Sequence, residues 1–159
     1  MSKKTILLVE DNPDDRDLTV RALKRHQLGE DLVLATDGVE ALDYLFGEGS
    51  YAGRDASVCP QVVLLDLKLP KLSGLEVLQR LRADPRTRLL PVVILTTSNE
   101  EKDRLQGYHL GANSFVRKPV DFEKFSDAVR ELGLYWLVRN EPPPPCKSDG
   151  PGAHGPGTQ

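Results

Sequence analysis

The chain has 159 residues and a nearly balanced charge, with 24 Asp and Glu against 21 Lys and Arg. This balance does not provide the strongly basic surface that nucleic-acid binding needs. No apolar run approaches the roughly 20 residues that cross a bilayer, and the basic start leads into a segment too short and too acidic for a signal peptide. We expect a cytoplasmic protein that binds neither nucleic acid nor a membrane.

Short apolar runs rich in β-branched residues alternate with amphipathic stretches along the chain. The runs predict five strands, at residues 5–10, 31–36, 61–66, 91–97 and 113–118. A helical pattern follows each strand, at residues 13–27, 38–46, 74–83, 99–110 and from 121 onward. The predicted element order is therefore (βα)5.

The first, third and fourth of these runs are almost continuously apolar, as in a parallel sheet that helices cover on both faces. Right-handed connections then give a flavodoxin-like α/β fold, a doubly wound sheet of five parallel strands in the order 2-1-3-4-5. In such a sheet ligands bind outside the carboxyl ends of the strands, where strands 1 and 3 diverge. We expect the functional site at that edge.

Two segments lie outside this regular alternation. The connection at residues 47–60 is long for a compact domain, and the sequence leaves open whether it is a tolerated surface insertion or a docking loop. We expect its Cys59 to be a thiol, because two Cys are too few for a disulfide framework. Residues 140–159 hold 6 of the 12 Pro and 4 of the 13 Gly, which predicts a globular domain over 1–139 and a disordered tail over 140–159.

Polar side chains end four of the five predicted strands. Strand 1 ends in Glu10 and Asp11, strand 3 in Asp66, strand 4 in Thr96 and strand 5 in Lys118. Three carboxylates at one edge repel one another unless a cation neutralises them, and a hard divalent ion such as Mg2+ prefers such oxygen ligands. Each residue alone has an ordinary structural explanation, such as helix capping, so their joint placement is what indicates a site.

These motifs resemble the receiver domain of two-component response regulators, over residues 5 to about 134. The resemblance is carried by LLVEDNPDD with the acid pair, by VVLLDLKLPKLSGLEVL with Asp66, Pro70 and Gly74, by PVVILTTS with Thr96, and by GANSFVRKPVD with Lys118. The longer connection at 47–60 and the ending LYWLVRNEPPP are similar to the single-domain regulators that serve phytochrome-type photosensory histidine kinases.

The resemblance implies that Asp66 accepts a phosphoryl group from the phosphohistidine of a histidine kinase. It implies Mg2+ as the cofactor, held by Asp66, by Asp11, by Glu10 through water, and by the backbone carbonyl of Lys68. A protein of this kind catalyses only its own phosphotransfer and dephosphorylation, so we do not expect an enzyme in the wider sense.

The resemblance also assigns roles around the phosphoryl group. Lys118 is expected to pair with Asp66 before phosphorylation and with a phosphoryl oxygen afterwards, while Thr96 donates a hydrogen bond to another oxygen. Movement of Thr96 lets the switch residue Phe115 turn inward and changes the face made by helix 4, strand 5 and helix 5; Phe115 as an ordinary core residue is the alternative. The family pattern implies a cis bond at Pro119, although trans is the default for a proline.

A protein contact is the expected output, because the sequence shows no effector domain after the last predicted helix. That helix adds apolar residues on all its sides, and excess apolar surface marks an interface. We expect a homodimer through the face described above and through Tyr135, Trp136, Leu137 and Val138. The alternative is that these residues fold back over the core of their own chain.

Other functions share parts of this pattern. A haloacid-dehalogenase-like phosphatase needs a second acid two residues after its nucleophile, where this chain has Lys68. A flavodoxin-like FMN module needs a phosphate-binding loop after strand 1, where EDNPDD would repel an anionic cofactor. A phosphorylation-independent scaffold of the same fold remains the alternative, although such a scaffold has usually lost a site residue and none is lost here.

Overall fold

The computed structural model describes residues 5–28, 31–119 and 121–144. Five strands and five helices alternate within these residues, as predicted. The strands are β1 (Ile6–Val9), β2 (Leu32–Ala35), β3 (Val62–Leu65), β4 (Val92–Thr96) and β5 (Ser114–Arg117). The helices are α1 (Pro13–Arg25), α2 (Gly38–Phe46), α3 (Gly74–Ala83), α4 (Glu101–His109) and α5 (Phe122–Gly133), with a 3-10 turn at Gly49–Tyr51 and a π-helical segment at Leu134–Arg139.

All five strands are parallel and lie in the order β2-β1-β3-β4-β5, which confirms the predicted doubly wound sheet. Successive side chains of a strand point to opposite faces, so alternate residues of the apolar strands pack in two separate cores. The core beneath α2 and α3 contains Leu7, Val9, Val63, Leu65 and Ile94. The core beneath α1 and α5 contains Ile6, Leu8, Val62, Leu64 and Val93.

Side-chain caps fix where four helices begin, just after the strand ends; in α5 the cap is the Asp121 side chain, which accepts from the backbone of that helix. The Asn12 side chain accepts a hydrogen bond from the backbone of α1, and Asp37 does the same for α2. Ser73 starts α3 with a reciprocal capping box that it forms with Glu76. Because a capped terminus satisfies backbone donors that would otherwise lack partners, these residues hold the helix starts at the carboxyl edge of the sheet.

Gly74 lets α3 begin against the end of β3. A Cβ atom on this residue would overlap the backbone carbonyl oxygen of Asp66 and would lie 2.8 Å from the Cα of Leu67. The Gly74 amide donates to the Leu67 carbonyl at 2.8 Å, so the two backbones are in direct contact. A side chain at this position would separate α3 from the residue that ends β3.

The long connection at residues 47–60 is held to α2 by polar contacts. The Arg54 guanidinium lies 3.9 Å from the centre of the Tyr44 ring and also donates to the Tyr44 carbonyl. The Tyr51 hydroxyl donates to the Glu40 carboxylate at 3.0 Å. Cys59 is disulfide-bonded, so the expectation of a thiol is wrong.

The chain after α5 continues as the π-helical segment. Of the four residues expected at a dimer interface, this segment buries two and leaves two exposed. Trp136 and Leu137 are 8% and 7% exposed and pack in the core beneath α1 and α5, whereas Tyr135 and Val138 are 49% and 62% exposed. The expectation that Trp136 and Leu137 form an interface is therefore wrong, because the wider turn directs two consecutive side chains into their own protomer. Tyr135 and Val138 are exposed and can still contact a second protomer.

None of the helices in the described part of the chain combines the length and apolar character that crossing a bilayer requires. Most of the tail predicted at 140–159, namely residues 145–159, lies outside the described residues.

Replacing Gly74 by alanine should destabilise the fold by about 1–3 kcal/mol or more, because the added methyl group overlaps backbone that cannot rotate away. Urea unfolding measures the loss. The control is Gln79→Ala, an exposed position on the same helix that should change stability by less than about 0.5 kcal/mol. Equal midpoints for Gly74→Ala and the wild type would contradict the packing described above.

Candidate functional site

Three carboxylates meet where β1 and β3 end. The register pairs Val9 with Leu65, and the Asp66 amide donates to the Val9 carbonyl at 3.1 Å, so the residues after the two strands leave the sheet side by side. Oxygen atoms of Glu10, Asp11 and Asp66 lie within 4.8 Å of one another. The acids that the sequence placed at one edge therefore form a single cluster.

The three acids differ in burial. Glu10 is 2% exposed, Asp66 is half-buried and Asp11 is exposed. Burial raises the pKa of Glu10 to about 7; the hydrogen bond from Lys118 opposes this rise and the charge of Asp66 adds to it. A second negative charge beside a buried carboxylate is unfavourable, so the cluster needs positive charge close by.

Lys118 supplies part of that charge. Its Nζ donates to Glu10 Oε1 at 2.5 Å and to Asp15 Oδ2 at 3.2 Å, and the residue is 8% exposed. Burial acts to lower the pKa of Lys118, but the hydrogen bond to Glu10 and the charges of Asp66, Glu10 and Asp15 raise it above its ordinary value. The ammonium group therefore stays charged.

The expected resting pair of Lys118 with Asp66 is wrong. The ion pairs of Lys118 in the described residues are with Glu10 and Asp15. For Glu10 the physical reason is burial, because a nearly fully buried carboxylate depends on a counter-charge more than the half-buried Asp66 does. Asp66 Oδ1 instead accepts a hydrogen bond from the Leu67 amide at 2.9 Å.

Thr96 and Lys118 are joined through the backbone. The Lys118 amide donates to the Thr96 carbonyl at 2.7 Å, which holds the ends of β4 and β5 together. The Thr96 residue is 1% exposed and its hydroxyl accepts from the Ser98 amide at 3.2 Å. Peptide bonds in the described residues are all trans. The cis bond expected at Pro119 is therefore wrong, in line with the lower free energy of the trans form.

Phe115 is half-buried on β5 and lies beneath α4. The buried residue of α4 is Gly107, and a Cβ atom there would lie 3.2 Å from the Phe115 ring. The Tyr108 ring is 6.4 Å away between centres. Helix α4 thus rests on the sheet through a glycine, and Phe115 occupies the space that this glycine leaves.

The donor set suits a divalent cation. All three acids offer oxygen, the ligand atom that hard cations prefer, and Asp11 is open to solvent. Both Glu10 oxygens already accept hydrogen bonds, from Lys118 and from the Asn12 amide at 3.2 Å. Lys68, whose carbonyl was expected as a further ligand, is exposed two residues after Asp66. The cluster therefore fits a cation that contacts Asp11 and Asp66 more directly than Glu10.

Sequence reasoning missed Asp15. Its place in the first turn of α1 is typical of an acid that interacts with a helix terminus. The structure shows a second role, since its carboxylate reaches the ammonium group at the end of β5. The pair of consecutive acids, Asp14 and Asp15, was the available signal, but it does not indicate which of the two faces the site.

Known proteins share both the sequence pattern and the fold. The family model of the response regulator receiver domain matches residues 6–130. The probable methanogenesis regulatory protein FilR2 of Methanothrix harundinacea is 43% identical over 142 residues, which cover 89% of this chain and 88% of that protein.

Two solved structures are similar over nearly their whole length. The phosphorylated cyanobacterial phytochrome response regulator RcpA has a TM-score of 0.82 and 37% identity, covering 89% of this chain and 99% of that one. The Mn2+-bound form of the response regulator Rcp1 has a TM-score of 0.80 and 34% identity, with the same two coverages. The Rcp1 protein sequence comes from Synechocystis sp..

Adding Mn2+ should stabilise the protein against thermal unfolding, by about 2.7 kcal/mol at a concentration a hundred times the dissociation constant. Asp11→Asn should lose most of this stabilisation, because Asp11 is the acid most open to a cation. The control Asp14→Asn removes an exposed carboxylate from the same stretch, outside the cluster, and should keep it. Equal stabilisation of both variants would rule out Asp11 as a ligand.

Proposed function

The chain belongs to the response regulator receiver domain family of two-component signalling, and from this we propose that Asp66 accepts a phosphoryl group from the phosphohistidine of a histidine kinase. The observation that carries the proposal is the meeting of Asp66 with a second and third carboxylate, beside strand ends that hold a buried ammonium and a buried hydroxyl. Each member alone has an ordinary structural explanation, but their joint placement at one edge does not.

Asp66 acts as the nucleophile in this proposal. A bond forms between one of its carboxylate oxygens and phosphorus, while the bond from phosphorus to the imidazole nitrogen breaks and its electron pair stays on the imidazole. The hydrogen bond from the Leu67 amide to Oδ1 orients the carboxylate. Phosphoryl transfer depends mainly on such positioning and on stabilisation of charge.

Two groups stabilise the transferred phosphoryl group. The Lys118 ammonium donates to one phosphoryl oxygen, and the Thr96 hydroxyl donates to another. The backbone hydrogen bond between these residues keeps both donors at the same edge of the sheet. Because both residues are buried, their hydrogen bonds compete little with water and are stronger than exposed ones.

Mg2+ is the proposed cofactor, held by Asp11, Asp66 and the Lys68 carbonyl, with Glu10 contributing through water. When bound there, the ion neutralises charge on the carboxylates and on the phosphoryl oxygens. Support comes from the oxygen-only donor set and from the Mn2+ that is bound in the similar regulator Rcp1.

Phe115 is the proposed switch. In the resting state the Thr96 hydroxyl accepts from the Ser98 amide, and movement of Thr96 toward the phosphoryl group, to which it donates, leaves space that accepts the Phe115 ring. Phe115 has no hydroxyl, so packing alone holds its inward position. Because α4 rests over this ring on Gly107, rotation of the ring changes the face made by α4, β5 and α5.

The proposed partner is a photosensory kinase of the phytochrome type, with the protein in the cytoplasm. The similar RcpA is a cyanobacterial phytochrome response regulator in its phosphorylated form, and likeness over nearly the full length supports a related input. The protein's only chemistry is its own phosphorylation and dephosphorylation.

A homodimer through the α4-β5-α5 face is the proposed output. Leu105 and Tyr108 on α4 are 71% and 50% exposed, and Tyr135 and Val138 extend the apolar surface beyond α5. A groove of about 230 Å3 lies between β5, α5 and the segment after α5, and its lining includes Val116, Leu132 and Tyr135. An apolar surface next to the switch residue suits a contact that responds to phosphorylation.

Incubation with acetyl phosphate and Mg2+ should add about 80 Da to the intact mass, the mass of one phosphoryl group, and Asp66→Asn should prevent it. A phosphorylated photosensory kinase should give the same adduct on the same residue. The control Asp55→Asn changes an exposed acid in the 47–60 connection and should be phosphorylated like the wild type. No adduct from either donor would leave a phosphorylation-independent scaffold as the better hypothesis.

Val138→Asp should convert the dimer to a monomer, because it places a charge in a desolvated contact. Sedimentation velocity at micromolar concentration, with and without acetyl phosphate, measures the mass. Leu89→Asp is the matched control, an equally exposed apolar residue between α3 and β4, and should leave the mass unchanged. A monomeric wild type in both states would refute the dimer.

A further inference from the structure

Asp15 forms an ion pair with the Lys118 ammonium, the group that the proposed function requires at the phosphoryl group on Asp66. Lys118 Nζ donates to Asp15 Oδ2 at 3.2 Å as well as to Glu10 Oε1 at 2.5 Å. An ammonium group has three donor hydrogens, so these two bonds leave one for any further acceptor. The side chain of Asp15 is 34% exposed, whereas that of Glu10 is 2% exposed. Breaking the ion pair with Asp15 therefore costs less free energy, because water can solvate the released Asp15 carboxylate.

The backbone of Asp15 is fixed on both sides. Its amide donates to the Asn12 side chain at 3.0 Å, and its carbonyl accepts from the Thr19 hydroxyl at 2.9 Å. Thr19 is fully buried. With the first turn of α1 anchored in this way, the short Asp15 side chain has few positions available, and the one that the structure shows reaches Lys118.

Asp14 provides a natural comparison. It is the preceding residue, it carries the same charge in the same helical turn, and it is exposed. The ion pairs that the structure records for Lys118 are with Glu10 and Asp15, not with Asp14. Any effect that belongs to Asp15 alone therefore comes from contact with Lys118, and not from net charge or from the helix terminus.

We propose that Asp15 is a positioning residue that holds the Lys118 ammonium in the resting state and so weakens the affinity of the site for a phosphoryl group. A phosphoryl oxygen on Asp66 needs this ammonium as a donor, but the ion pairs of Lys118 in the described residues are with Glu10 and Asp15 and not with Asp66. Movement of the ammonium toward the phosphoryl group lengthens its contact with Asp15, so the two anions compete for its position even though one donor hydrogen is left. Asp15 stabilises the resting state but not the phosphorylated one, and the equilibrium between them shifts accordingly. The proposal rests on the proposed function of Asp66 and Lys118.

The test uses beryllofluoride with Mg2+ as a noncovalent phosphoryl mimic, and isothermal titration calorimetry measures its dissociation constant on the full chain. Asp15→Asn keeps the size of the side chain and removes its charge, so we expect binding about two- to fivefold tighter than in the wild type, within the range for a partly exposed ion pair. Asp14→Asn should change the affinity less than about twofold. Asp15→Glu keeps the charge and should stay near the wild-type affinity, which a purely structural role would not predict.

The outcomes separate this inference from the function on which it rests. If the wild type does not bind beryllofluoride, or binds it equally well after Asp66→Asn, the proposed function fails. If binding depends on Asp66 but Asp15→Asn and Asp14→Asn have the same affinity, only the role of Asp15 is overturned. Weaker binding by Asp15→Asn would overturn it too, because Asp15 would then assist the phosphoryl state and not compete with it.

Discussion

The balance of charge at one edge of the sheet is the constraint on which the rest of the site depends. Three carboxylates have oxygen atoms within 4.8 Å of one another, and one buried ammonium lies against the most buried of them. Burial and the neighbouring Asp66 raise the pKa of Glu10 to about 7, although Lys118 opposes the rise. A site with this surplus of negative charge is poised to bind a cation, and a phosphoryl group becomes acceptable only when positive charge accompanies it.

The fold supports this constraint mainly through backbone contacts. The Asp66 amide bonds to β1 and the Lys118 amide bonds to β4, so each charged residue is placed by the strand next to its own. Gly74 brings the start of α3 against the carbonyl of Asp66. Because these contacts involve backbone and not flexible side chains, the acids keep their spacing despite mutual repulsion. The sheet, which two apolar cores stabilise, holds the acids together against their mutual repulsion.

The surface that would transmit a signal is attached more loosely. Helix α4 buries a glycine where α2 and α3 bury leucine side chains, and its Leu105 and Tyr108 are exposed. Beyond α5 the π-helical segment buries Trp136 and Leu137 and leaves Tyr135 and Val138 outside. The C-terminal segment therefore contributes both to the stability of the protomer and to the apolar surface beside α4. A rigid site next to a weakly packed helix is an arrangement in which a local change of charge can alter shape.

The sequence by itself determined the strand order, the edge that carries the site, and the identities of the acids, the hydroxyl and the amine. This was possible because short apolar runs between amphipathic stretches indicate buried strands, and parallel strands bring their carboxyl ends to the same edge of the sheet. Only the tertiary structure decided which carboxylates Lys118 contacts, since Asp15 is 103 residues away along the chain and its position depends on how α1 packs against α5. It also decided the trans bond at Pro119 and the burial of Trp136 and Leu137. Such features depend on small differences in free energy between alternative geometries, which packing resolves and local pattern does not.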